Sequence, residues 1–109
     1  MTHAHARSLA TAWRRIQPGL ELRVSPRDDV YRFAGAFGRD AVESLSDYLA
    51  VGHEIAGLLE QTLAACGLRL ADVESLLDCG CGHGRVTRFL VHRLPRERLV
   101  VCDRVPDAV

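Results

Sequence analysis

Apolar residues in the middle of the chain recur at helical spacing. Leu45, Leu49, Ile55, Leu58, Leu59 and Leu63 punctuate residues 41–66 at three- and four-residue steps on either side of Gly52. Asp40 stands where an N-cap belongs, with Glu43 three residues on as a capping-box partner, and Gly67 follows as a C-cap. The pattern predicts one long helix, or two shorter ones meeting near Gly52. Upstream, residues 8–16 predict a short helix ended by Pro18 and Gly19. Residues 19–40 hold Pro26, the pair Asp28 and Asp29, and the stretch FAGAFGRD, which together predict an irregular segment with a turn or two. Downstream the period changes. Leu76 and Leu77, preceded by Val73 and ended by Asp78 and Gly80, read as a short buried strand. Val86, Phe89, Leu90 and Leu94 share one helical face, and Pro95 stops that helix. LVVC, residues 99–102, is a continuous apolar run of the kind found in parallel sheets, and Pro106 and Asp107 open another helix. From Ser75 onward the order is therefore strand, glycine loop, helix, strand and acid, a βαβ unit.

Length changes little in this picture: 109 residues allow one domain with a modest core. A formal net charge of zero gives no global field toward nucleic acid or an anionic membrane. The charge is unevenly spread. Residues 1–39 carry seven Arg against three acids, residues 40–84 one Arg against eight acids, and residues 85–109 six Arg against three acids. Solvated helix faces account for such blocks. Every basic residue of the Lys/Arg pair is Arg, as in proteins from GC-rich genomes. No apolar run approaches the roughly 18 residues of a membrane span. The N-terminus lacks an apolar signal region; it is free of acids and carries Arg7, Arg14 and Arg15, and a loose terminus is expected, with His3 and His5 on it. Cys66, Cys79, Cys81 and Cys102 are expected as free thiols in a reducing cytoplasm, since a bridge between Cys79 and Cys81 across one residue would be strained.

The densest chemistry lies in LLDCGCGHGRVTRFL, residues 76–90. A loop between a strand and a helix start presents unpaired N–H groups, and Gly80, Gly82 and Gly84 free its backbone to take positive φ and to meet a ligand closely. Asp103 follows Gly84 by 19 positions, at the tip of the second strand. Adjacent strand tips lie side by side, so its carboxylate sits beside the loop, where it can accept hydrogen bonds from both hydroxyls of a ribose. Gly80 and Gly82 match the start of the dinucleotide pattern G-x-G-x-x-G, but its sixth position is Arg85 and the third glycine comes early, at Gly84. With Asp78 ahead of them the pattern is D-x-G-x-G-x-G. Two other readings use the same residues. Cys79, Cys81 and His83, with Cys102 as a fourth ligand, supply zinc-binding side chains at a spacing that suits structural zinc poorly. Cys81, near a helix N-terminus, is a candidate reactive thiol of lowered pKa.

LLDCGCGHG resembles the first motif of the class I S-adenosylmethionine-dependent methyltransferases, and VVCD resembles their second-strand motif. The stretch from Tyr48 to Val86 resembles the helical lead-in of bacterial members. The resemblance covers residues 40–109. It implies an α/β, Rossmann-like methyltransferase fold, truncated to N-terminal helices plus the first βαβ unit. Residues 1–39 would be a lead-in, and residues 40–109 the N-terminal part of the cofactor domain. Asp78, Gly80, Gly82 and Gly84 would wrap the methionine and ribose portion of S-adenosyl-L-methionine, with the backbone of Cys81 and His83 lining it and Asp103 on the ribose diol. Tyr48 and Gly52 would reach toward the methionine end. The implied reaction is in-line methyl transfer in a cytoplasmic enzyme without a metal, to a small-molecule acceptor. Neutral charge and an aromatic content of 6% weigh against nucleic acid as partner, and no membrane partner is expected. No catalytic base is assigned: His83 lies in the loop, and His53 and His92 read as surface or packing residues. The resembled fold has a seven-stranded sheet, and two of those strands are legible here. The chain is thus expected to be an N-terminal fragment whose open sheet edges favour pairing or aggregation. A binding or interaction module that keeps the nucleotide loop without catalysis is the alternative.

Overall fold

The computed structural model describes residues 3–35 and 40–108. Residues 36–39 of the expected irregular segment lie outside the described residues. The elements are α1 (His3–Ile16), α2 (Asp29–Gly35), α3 (Ala41–Ala65), β1 (Leu76–Cys79), α4 (Thr87–Leu90) and β2 (Leu99–Cys102). Short 3-10 turns cover Leu70–Asp72, Arg96–Arg98 and Pro106–Ala108. The molecule is thus helical with a two-stranded parallel sheet. Its contacts divide it into two units, Met1–Ala50 and Val51–Val109, with the boundary inside α3.

In the first unit α1 starts earlier than its predicted residue 8 and buries Trp13. Gly19 reverses the chain at φ 77° after Ile16. Where an irregular segment was expected, Asp28 caps α2: its Oδ1 accepts the N–H groups of Val30 (3.0 Å) and Tyr31 (3.2 Å). Its Oδ2 accepts the Tyr48 hydroxyl at 2.5 Å, and both side chains are buried. Tyr31 meets Tyr48 edge-on, with ring centroids 5.8 Å apart. A two-turn helix of seven residues is marginal alone; this carboxylate, satisfied on both oxygens, anchors it.

α3 is one helix of 25 residues, not two. The Asp40 carboxylate accepts the Glu43 N–H at 2.8 Å, the predicted N-cap. At the other end Leu68 N–H bonds to Leu63 O (2.9 Å) and Gly67 N–H to Ala64 O (3.0 Å), with Gly67 at φ 76°. This is a Schellman motif with Gly67 at C′. Within the second unit Gly52 has a packing role. A Cβ built on it would stand 2.1 Å from the Arg85 carbonyl oxygen and 3.1 Å from the Phe89 ring, so the absent side chain lets α3 touch the backbone that follows the glycine loop. His53 packs edge-on against Phe89 at 5.4 Å. Glu60 pairs with Arg93, whose guanidinium also lies 5.9 Å from the Phe89 centroid. Phe89, Leu90 and Leu94 are buried, as their spacing predicts.

The sheet pairs Leu76 with Leu99, Leu77 with Val100, Asp78 with Val101 and Cys79 with Cys102. One face is half-buried. On the other, Leu77 is 59% and Val100 55% exposed. The strands are thus covered on one face, where continuous apolar runs led to the expectation of burial. Between them the helix expected to run up to Pro95 shrinks to Thr87–Leu90. Beyond Val91 the bonds tighten to i→i−3, from His92 N–H to Phe89 O and from Arg93 N–H to Leu90 O.

Candidate functional site: a glycine loop at two strand tips

The loop from Gly80 to Val86 joins β1 to α4, and its three glycines all take left-handed backbone: Gly80 at φ 77°, Gly82 at φ 56° and Gly84 at φ 90°. Side chains rarely tolerate these angles. Space is not the constraint, because a Cβ on Gly80 or Gly82 would meet no heavy atom within 4 Å. The loop therefore needs glycine for its path and keeps its outer surface open.

That path is tied to β2. The Cys102 carbonyl accepts the N–H groups of Gly80 (2.8 Å) and Cys81 (3.0 Å). Asp103, just beyond β2, accepts the Gly82 N–H on Oδ2 and the Val105 N–H on Oδ1, each at 2.8 Å. The Val105 and then the Gly82 N–H hold its carboxyl below the usual carboxylate range. Gly84 N–H closes a turn onto Cys81 O at 3.1 Å. So the N–H groups of Gly80, Cys81, Gly82 and Gly84 all bond within the protein.

The structure brings Asp78, Gly80, Cys81, Gly82, His83, Gly84 and Asp103 into one neighbourhood. Asp78, on β1, accepts the Thr87 hydroxyl at 2.6 Å through Oδ2. His83 Nε2 is buried without a hydrogen-bond partner. Cys81 points its thiol at the Gly82 carbonyl, 3.3 Å away. Its pKa is raised, first by burial and then by the charges of Asp78 and Asp103. The direction is opposite to the lowering expected from a helix N-terminus: α4 is only one turn long, and burial and the two carboxylates both act the other way. Among the described residues no group of three or more His, Cys, Asp or Glu side chains is placed to hold a metal ion. Tyr48, proposed by the resemblance for the methionine end, donates its hydroxyl to Asp28, and Gly52 is buried against Arg85.

Two residues of α4 that hold the loop escape a reading of periodicity. Thr87 holds Asp78 across nine positions. Arg88 is buried, with Nε donating to Gly84 O (2.8 Å) and Nη2 to His83 O (3.3 Å). Its i+4 spacing from Gly84 was the available signal, since a helical side chain leans toward the preceding turn. Its guanidinium braces the carbonyl side of the loop, while Asp103 braces the N–H side.

Compared with known proteins, the chain matches no family model, no curated protein sequence and no solved structure.

Proposed function

We propose that the second unit is the cofactor-binding part of an S-adenosylmethionine-dependent methyltransferase of Rossmann-like α/β architecture, acting on a small-molecule acceptor. The observation that carries this reading is the Asp103 carboxylate, bonded to Gly82 of the loop from the neighbouring strand tip. Each of its oxygens accepts one N–H and keeps a second acceptor site, which leaves capacity for the two hydroxyls of a ribose without breaking what is already bound. The orphaned His83 Nε2 is a further polar group for a ligand to satisfy.

The same geometry separates two adenosine ligands. A dinucleotide needs free N–H groups for its pyrophosphate. Here four loop N–H groups bond internally, which leaves them unavailable to a pyrophosphate. The Asp78 and Asp103 carboxylates beside the loop attract a sulfonium cation, with the Arg88 guanidinium on the carbonyl side opposing them. S-adenosylmethionine, when bound, supplies a methyl group already activated by its sulfonium. The chain's part is to fix the ribose through Asp103, to shape the loop through its glycines and Arg88, and to align the methyl with its acceptor. A nucleotide-binding module without catalysis is the second reading, favoured by a sheet of two strands with one face open.

Calorimetric titration of the 109-residue chain tests the binding claim. S-adenosylhomocysteine is expected to bind and NAD not to. Removing either Asp103 (Asp103→Ala) or both ribose hydroxyls of the ligand is expected to weaken binding ~10- to 100-fold, the equivalent of ~1.5–3 kcal/mol for bonds to a charged group. The ligand-side change needs no variant to fold. NAD binding as tightly, or a deoxygenated ribose binding equally well, would sink the proposal. Binding without methyl transfer to any acceptor would favour the module.

A further inference from the structure

Cys79 and Cys102 are directly paired across the parallel strands. Paired residues project from the same face of a sheet, and here it is the face that exposes Leu77 and Val100. Neighbouring strands run about 4.8 Å apart, inside the roughly 4.4–6.8 Å between Cα atoms that a disulfide spans. Both cysteines are free, Cys79 exposed and Cys102 half-buried. Cys81 differs: its thiol bonds to the Gly82 carbonyl.

We propose that Cys79 and Cys102 form a dithiol site that small-molecule disulfides oxidise reversibly to a cross-strand disulfide. The inference does not rest on the cofactor reading. The pKa of the Cys79 thiol is raised first by its interaction with the Cys102 thiol, in keeping with their direct pairing across the strands. The charges of Asp103 and Asp78 add a smaller push in the same direction.

One cysteine thiolate attacks a sulfur of the small disulfide, forming a mixed disulfide and releasing one small thiolate. The second cysteine thiolate attacks the protein sulfur of that mixed disulfide, which forms the Cys79–Cys102 bond and releases the second small thiolate. The two protons lost by the protein go to the two released thiolates. The protein gives up two electrons and the small disulfide takes them. The bond formed ties the residue before Gly80 to the residue before Asp103, so it locks together the two strand tips that carry the loop.

The experiment exposes the folded full chain to oxidised glutathione and maps its peptides without reduction. Trypsin releases Cys79 and Cys81 together in residues 70–85 and Cys102 in residues 99–104. Fragmentation then identifies the linked sulfur. The expected result is a chain lighter by two hydrogens, linked from Cys79 to Cys102, restored by reduced glutathione and unaffected by Cys81→Ser. In Cys79→Ser and Cys102→Ser the remaining partner is expected to stop at a persistent glutathione adduct. A link through Cys81 or Cys66, a stable glutathione adduct in the unaltered chain, absence of any oxidation, or a bond that forms only in denaturant would each overturn the proposal. The mapping of the unaltered chain decides the matter even where a variant fails to fold.

Discussion

Asp103 shows how one residue sets the state of a loop. Its carboxyl is held below the usual range by the N–H groups of Val105 and Gly82. A depressed folded pKa means stability that is present above the unfolded value of about 3.9 and is lost as pH falls through the folded value. The amide resonances of Gly82 and Val105 are therefore expected to titrate together, with a midpoint below that of an ordinary Asp. A midpoint at or above the ordinary value would refute the bonding. Gly82 gives a second residue-scale test. At φ 56° with open space around it, its substitution is limited by backbone conformation alone. Gly82→Ala is expected to cost about 1–2 kcal/mol in urea unfolding, and Gly82→Asn less, since Asn tolerates the left-handed region. Equal costs for the two would point to a steric limit instead.

At the scale of elements, two glycines in α3 predict opposite outcomes. Gly57 has nothing within 4 Å of a built Cβ, so Gly57→Ala is expected to stabilise by up to about 1 kcal/mol through helix propensity. Gly52→Ala gains the same propensity but drives a methyl into the Arg85 carbonyl, 2.1 Å away; overpacking of about 1–3 kcal/mol makes it net destabilising. Chemical unfolding of both variants reads the difference, and stabilisation by Gly52→Ala would deny the close approach of α3 to the loop. Gly52 also marks what the chain's pattern discloses and what it hides. Local signals were legible: the Asp40 cap, the Gly67 stop, both strands, and three glycines that do take positive φ. Tertiary ones were not. In isolation Gly52 looks like a helix interruption, because the carbonyl it accommodates lies 33 residues further on. α2 was hidden for a similar reason, since the Tyr48 hydroxyl that completes the bonding of its cap is 20 residues from Asp28. Burial of Arg88 was hidden too, because its partners are loop carbonyls that only the folded path of the loop turns toward it.

For the molecule as a whole, the sheet and the charge act together. Leu77 and Val100 pair on an open face, and the formal net charge near pH 7 is zero. Like-charge repulsion is then weakest where contact between apolar faces is most favourable. Solubility, followed by light scattering against pH, is expected to pass through a minimum near neutrality. Leu77→Thr combined with Val100→Thr replaces the apolar pair with a residue that keeps strand propensity. The double variant is expected to raise the soluble concentration at pH 7 while shifting stability by no more than about 0.5 kcal/mol per site, as for surface positions. A large loss of stability with no gain in solubility would mean that this face is covered in solution. Such cover would also shield Cys79, whose sulfur lies on the same face, from oxidised glutathione. The solubility measurement and the peptide map therefore constrain one another. An open face predicts both a solubility gain and access of oxidised glutathione to Cys79, and a covered face predicts neither.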